Sequence, residues 1–200
     1  MKNNNTIKVI GGLLKNQRLQ MASYDTTRSS KAILKESLFN TLMPVITNFG
    51  FIEVFAGTGS IGIEALSRGA LEANFIEKDK QAFEILNQNL QKIYHKFPTL
   101  KFKSFFGDSF ELLPQIIKNS KLKNFILFFD PPFPIRENFA DIYMKCFNLV
   151  EKIQNKDSTF LVIFEFYTSY EMPKNIKDFS IIKTKRFGKS GLAYYANKEL

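Results

Sequence analysis

The sequence has little of what builds a covalently stapled or metal-held fold. Its 200 residues include one cysteine, Cys146, and one histidine, His95. A lone cysteine forms no internal disulfide, and one cysteine with one histidine cannot complete a Cys/His zinc site. Tryptophan is absent. No apolar run approaches the roughly 18 residues that a bilayer-spanning helix needs. Residues Met1 to Thr6 are rich in asparagine and lack the apolar stretch of a signal peptide. These absences exclude disulfide scaffolds, zinc modules and membrane-spanning helices. They predict a cytoplasmic protein with no metal and no membrane contact. What is present is 44% hydrophobic and 24% charged, the mix of an ordinary globular domain. The 22 phenylalanines read as compositional bias rather than as a binding signal.

Acid is also in short supply, and unevenly so. The net charge is +9, from 28 Lys and Arg against 19 Asp and Glu. Residues 1–50 carry +5 of it, residues 51–150 only +1 and residues 151–200 the remaining +3. A basic terminal region beside a near-neutral core points to a polyanionic partner. Lys8, Lys15, Arg18, Arg28, Lys31 and Lys35 are the expected contacts.

From residue 51 onward, apolar strand-like runs alternate with amphipathic helical stretches, which predicts an α/β fold with a largely parallel sheet. Strands are expected over 51–55, 75–77, 100–106, 125–129 and 160–166, with helices over 80–93, 109–118 and 139–153 between them. The run FILFF at 125–129 is continuous, as in a strand buried on both faces. Residues 180–186 and 192–197 flank a glycine-containing turn and predict a terminal antiparallel hairpin. Upstream, residues 6–20 read as two short strands turning at Gly11-Gly12 or at Lys15-Asn16. Residues 30–43 read as a helix ended by Pro44.

In such sheets, ligands bind beyond the carboxyl ends of the strands. Four loops there carry candidate chemistry. The first, Phe55-Ala56-Gly57-Thr58-Gly59, follows Glu53 and opens a helix containing Gly62. It lets a cofactor approach the backbone and the free amides of a helix start. A dinucleotide-binding loop has the same form. The second ends in Glu77-Lys78, and Glu77 lies 20 residues after Gly57, the spacing at which an acid accepts from ribose hydroxyls. In the third, Gly107-Asp108-Ser109, Asp108 can cap the next helix or reach the exocyclic amine of an adenine. The fourth, Asp130-Pro131-Pro132-Phe133, presents a carboxylate and carbonyls in stiff geometry, with an aromatic positioned to stack on an extruded base.

This set of motifs resembles the bacterial small-subunit ribosomal RNA guanine-N2 methyltransferases, the RsmD-like family. The resemblance covers nearly the whole chain: KVIGG, ESLFNTL, VFAGTGSIGIEALSRGA, FIEKD and FFDPPF. It implies a Rossmann-like, seven-stranded, mostly parallel sheet with helices on both faces. Residues 1–45 would form an RNA-contacting hairpin and helix, and residues 46–200 the S-adenosylmethionine-dependent methyltransferase domain. It implies S-adenosylmethionine as cofactor, 16S rRNA as partner and methyl transfer to a guanine N2 amine by a monomer. Asp130, Pro131, Pro132 and Phe133 would do the chemistry, and the residues of the first three loops would hold the cofactor. Arg28 matches the arginine of the family's R-P-T segment, and Lys35-Glu36 matches its R-E pair. Ser29, Ile33, Asn16-Gln17 and Glu53 depart from its pattern, the last as one acid for another.

Adenine-N6 methylation is the alternative, since that chemistry uses a similar Pro-Pro-aromatic loop. A binding module with a vestigial site would not need four intact loops. A nicotinamide oxidoreductase does not characteristically carry D-P-P-F.

Overall fold

The computed structural model describes residues 6–22, 28–132, 139–153 and 157–199. Two short strands, β1 (Thr6–Lys8) and β2 (Arg18–Gln20), pair antiparallel with Ile7 opposite Leu19. Helix α1 (Arg28–Leu42) follows, then a 3-10 turn over Ile46–Asn48. The alternating part runs β3 (Gly50–Glu53), α2 (Ser60–Ser67), β4 (Ala73–Glu77), α3 (Lys80–Lys96), β5 (Phe102–Phe106), α4 (Ser109–Asn119), β6 (Asn124–Phe129), α5 (Phe139–Lys152) and β7 (Thr159–Tyr167). It ends with β8 (Asn175–Ile176), β9 (Phe179–Phe187) and β10 (Ser190–Ala196).

The main sheet has the order β5-β4-β3-β6-β7-β10-β9-β8. Its first five strands are parallel, and β10 then inserts antiparallel between β7 and β9. The expected mostly parallel sheet is therefore present. The two-residue β8 on the edge is an addition to the seven expected strands, too short to leave a sequence pattern. The chain reverses direction across the sheet between β3 and β6, and a cleft opens at such a point beyond the strand ends.

Burial explains the central strands. Ile126 and Phe128 of β6 pack on the face covered by α1, α2 and α3, while Phe125, Leu127 and Phe129 pack against α4 and α5. Phe129 stacks on Phe164 of β7 with ring centres 4.8 Å apart, and Phe125 on Phe160 at 5.4 Å. A strand buried on both faces has no polar row, which is why the run is continuous. Cys146 is buried in the second of these clusters, and burial pushes its thiol up to about 12, so it is a core residue.

The N-terminal hairpin docks onto this core. Val9, Leu14 and Leu19 join the same apolar cluster as α1 and α2. Both candidate turn positions fall within the loop that closes between Val9 and Asn16–Gln17. That loop is pinned to the end of α2, where Leu13 N–H donates to the Ser67 carbonyl at 2.7 Å and Leu14 N–H to Ser67 Oγ at 2.8 Å. Gly12 has φ +73°, and a methyl group on it would meet the Ser67 carbonyl oxygen at 1.8 Å. Only glycine fits a backbone pressed this closely against another.

Candidate active site

A cavity of 340 Å³ lies beyond the carboxyl ends of β3, β4 and β6. One wall is the glycine loop. Phe55, Ala56, Gly57 and Thr58 line it, and Ser60 and Ile61 bring the start of α2 to it. Gly57 has φ +52°, and nothing lies within 4 Å of where its side chain would be, so the cavity reaches bare backbone there.

Glu77, at the end of β4, ties this loop to the next. Its Oε2 accepts from Gly57 N–H at 2.6 Å and its Oε1 from Asp79 N–H at 2.6 Å. A carboxylate has about four lone-pair sites, so two remain for hydroxyl donors. Lys78 and Asp79 sit at the rim, and Asp79 also caps α3 by accepting from Ala82 N–H at 2.8 Å. Asp108 caps α4 by accepting from Phe110 N–H at 2.8 Å. Of that loop, Ser109 lines the cavity, and its hydroxyl donates to the Val54 carbonyl. Of the two readings open for Asp108, the structure displays the cap.

Glu53, at the end of β3, is buried. Its two carboxylate oxygens accept from Ile61 N–H at 3.2 Å and Gly62 N–H at 2.8 Å, across the N-terminus of α2. Burial, together with the charge of Asp130, pushes this carboxyl up to about 8 against the pull of those amides.

The opposite wall is built after β6. Asp130 and Pro132 line the cavity directly after β6, while Pro131 is buried behind them. Phe133 lies outside the described residues. Ile7 and Met21 of the N-terminal segment, Leu34 and Lys35 of α1, and Phe128 complete this side. So does Glu165, near the end of β7, which the motifs gave no reason to select. Its signal was positional: in β7, Leu161 and Ile163 face the α1 side, and the next residue in that row is an acid.

The basic residues divide. Lys8, Lys15 and Arg18 are exposed on the hairpin. The Arg18 carbonyl accepts from Lys92 Nζ of α3 at 3.0 Å, so a further lysine stands beside them. Arg28 and Lys31 lie in the first turn of α1, and their side chains are outside the described part of the structure. Lys35 is a correction. It is 1% exposed, its ammonium 3.2 Å from Glu64 and donating to the Lys8 carbonyl at 3.0 Å. Burial lowers its pKa, opposed chiefly by Glu64. A lysine so enclosed is not on the exposed basic face with Lys8, Lys15 and Arg18.

Glu64 of α2 is the centre of a buried cluster that sequence reading missed. Besides Lys35, it accepts from Ile10 N–H at 2.9 Å, Gly11 N–H at 2.8 Å and Arg68 Nε at 3.1 Å. Asn89 of α3 forms a second bracket. It exchanges bonds with Gln20 of the hairpin and donates to the Thr58 carbonyl in the glycine loop at 3.0 Å. Among the described residues, no His, Cys, Asp and Glu group is arranged to hold a metal ion, and no helix is long and apolar enough to cross a membrane.

Known proteins share the fold. The profile of the family described as Conserved hypothetical protein 95 matches residues 7–196. The "Ribosomal RNA small subunit methyltransferase D" of Haemophilus influenzae is 32% identical over 142 residues, which cover 71% of this chain and 72% of that protein. Among solved structures, the "Putative methyltransferase yhhF from Escherichia coli" superposes with a TM-score of 0.76 at 26% identity, covering 98% of this chain and 99% of that one. The magnesium protoporphyrin IX methyltransferase of Synechocystis, solved with bound SAM, shares the fold with a TM-score of 0.60 at 15% identity, over 87% of this chain and 86% of that one.

Proposed function

The chain belongs to the Conserved hypothetical protein 95 family, and from that premise we propose that it methylates the exocyclic N2 amine of a guanine in 16S rRNA. Its cofactor is S-adenosylmethionine. The cavity fits that group: it meets bare backbone at Gly57, offers Glu77 to a ribose diol and has acids for cationic groups. When bound, the cofactor supplies a methyl group already activated for transfer. The protein's own part is to hold and orient the base.

The observation that carries the reading is the position of Asp130. It stands at the end of a doubly buried strand, in the same cavity as the glycine loop and Glu77. A guanine amine has its lone pair delocalised into the ring. Accepting a hydrogen bond from one amine hydrogen lets Asp130 draw the nitrogen toward tetrahedral geometry and stabilise positive charge as it develops. Holding the reacting groups in fixed orientation is worth roughly 7 to 11 kcal/mol in favourable cases. Phe133 is assigned the stacking contact with the extruded base. Residues 1–45 are assigned to RNA, with Lys8, Lys15 and Arg18 facing phosphate, and residues 46–200 to the methyltransferase domain.

The test is methyl transfer from labelled S-adenosylmethionine to 16S rRNA, both naked and assembled in small subunits, followed by mapping of the modified base. N2-methylguanine is expected. A label found on adenine N6 would overturn the guanine reading, and no transfer to either form of the RNA would overturn the substrate.

A further inference from the structure

Three neighbouring parallel strands end the same inward row with an acid. On the face toward α1, Phe51 of β3 is followed by Glu53, Phe128 of β6 by Asp130, and Ile163 of β7 by Glu165. The register levels Glu53 with Phe128, and Phe128 with Ile163. Asp130 and Glu165 therefore lie one pleat beyond Glu53, side by side, one step past the last paired residues, Phe129 and Phe164. Neighbouring strands run about 4.8 Å apart, so the two carboxylates project into the cavity as a pair. Glu53 already spends its oxygens on the start of α2. Tyr143, behind the strand ends, has its pKa raised first by burial and further by the charges of both Asp130 and Glu165, consistent with their closeness.

We infer that Glu165 reads the substrate base, accepting a hydrogen bond from the N1–H of guanine while Asp130 accepts from the adjoining N2 amine. This deepens the guanine reading above and rests on it. The chemistry of the base edges supports the assignment. On its Watson–Crick edge, guanine carries donors at adjoining positions, N1–H and the N2 amine. Adenine sets its amine beside an N1 lone pair, and cytosine sets its amine beside an N3 lone pair. Two carboxyl groups side by side offer acceptor oxygens to both donors of the first edge and set an acceptor against a lone pair in the other two. Glu165 is 9% exposed, so little water is available to soften that repulsion. A site built to bond a particular N–H rejects analogues lacking it far more strongly than an apolar pocket rejects a missing methylene.

The experiment compares guanine with 2-aminopurine, which keeps the N2 amine and replaces N1–H with a lone pair. Small subunits are reconstituted with 16S rRNA carrying either base at the mapped position. Single-turnover methyl transfer is then measured for the parent protein and for Glu165→Gln. The parent should prefer guanine by about 100-fold or more. In Glu165→Gln the side-chain amide can donate to the N1 lone pair, so the guanine to 2-aminopurine ratio should fall at least about tenfold. S-adenosylmethionine affinity, measured by calorimetry, should stay at the parental value and report an intact fold. A folded Glu165→Gln with the parental ratio overturns the inference. A parental ratio near one overturns it without any variant, so a protein that fails to fold does not rescue it. Mapping that finds no N2-methylguanine instead defeats the guanine reading on which the inference rests.

Discussion

On the cofactor wall of the cleft, each acid reaches a backbone amide nearby in sequence: Glu77 to Gly57 across 20 positions, Asp79 to Ala82 across three, Asp108 to Phe110 across two. Behind the opposite wall, the bonds that pin its N-terminal segment to α2 and α3 are long-range. Glu64 reaches Ile10 and Gly11 across 54 and 53 positions, and Asn89 reaches Gln20 across 69. Two of the first wall's bonds are caps that form with their own helices, and the third joins the loops after two neighbouring strands. The long-range set exists only when the hairpin, α1, α2 and α3 have all come together. Local bonds should lose function one contact at a time, whereas the buried cluster should fail as a unit.

The largest effect is therefore expected at the cluster. Glu64→Ala leaves the Lys35 ammonium buried without its ion-pair partner and removes the acceptor for two loop amides. Breaking a buried pair in this way costs about 3 to 5 kcal/mol. Urea unfolding should report that loss, and hydrogen exchange should speed first at Ile10 and Gly11. A cost below about 1 kcal/mol would mean that the two walls are held alike, because surface-like ion pairs fall in that range.

Asp130→Ala comes next. The fold and S-adenosylmethionine affinity should survive, while the single-turnover rate falls about 10²- to 10³-fold, the usual cost of losing one aimed electrostatic contact. Asp130→Asn keeps an acceptor oxygen without the charge, so its rate should lie between those of Ala and Asp. A parental rate in Asp130→Ala would remove the loop after β6 from the chemistry.

Glu77→Ala tests the other wall. S-adenosylmethionine binding should weaken by about 1 to 3 kcal/mol, the cost of hydrogen bonds lost to a charged group. Global stability should change little, because Glu77 is partly exposed and its bonds are to loop amides. Calorimetry showing unchanged affinity would take Glu77 out of the cofactor site.

The same contrast explains what could be read from the amino-acid order. Periodicity and caps act over a few residues, so the alternating strands and helices and the terminal hairpin were legible. So was the glycine loop facing Glu77, because a fixed spacing encodes that pairing. Lys35 was misread because charge alone says surface, and its burial depends on Glu64, 29 positions away on another helix. Glu165 was missed because it matters through its neighbour: only the parallel register of β6 and β7 sets it beside Asp130. The docking of the loop at 10–16 onto Ser67 likewise left only a pair of glycines as its trace.

The smallest effect expected is a slope in pH, and it belongs to the one acid that stands between the two walls. Glu53 has its carboxyl raised by burial to about 8, from an ordinary value of 4.5. Between those values the folded protein holds a proton that the unfolded chain releases. Its contribution to stability is therefore fully present below about pH 4.5 and is lost as pH rises through about 8. Glu53→Gln replaces the titrating group with a neutral amide that still offers one acceptor to the Ile61 and Gly62 amides. Melting temperatures taken from pH 5 to pH 8 should fall less in Glu53→Gln than in the parent. Parallel curves would show that the amides at the start of α2 hold Glu53 ionised throughout, making it another cap of the cofactor wall. Curves that separate as pH rises, the parent falling more, would show that burial and the charge of Asp130 outweigh those amides, which ties Glu53 electrostatically to the substrate wall.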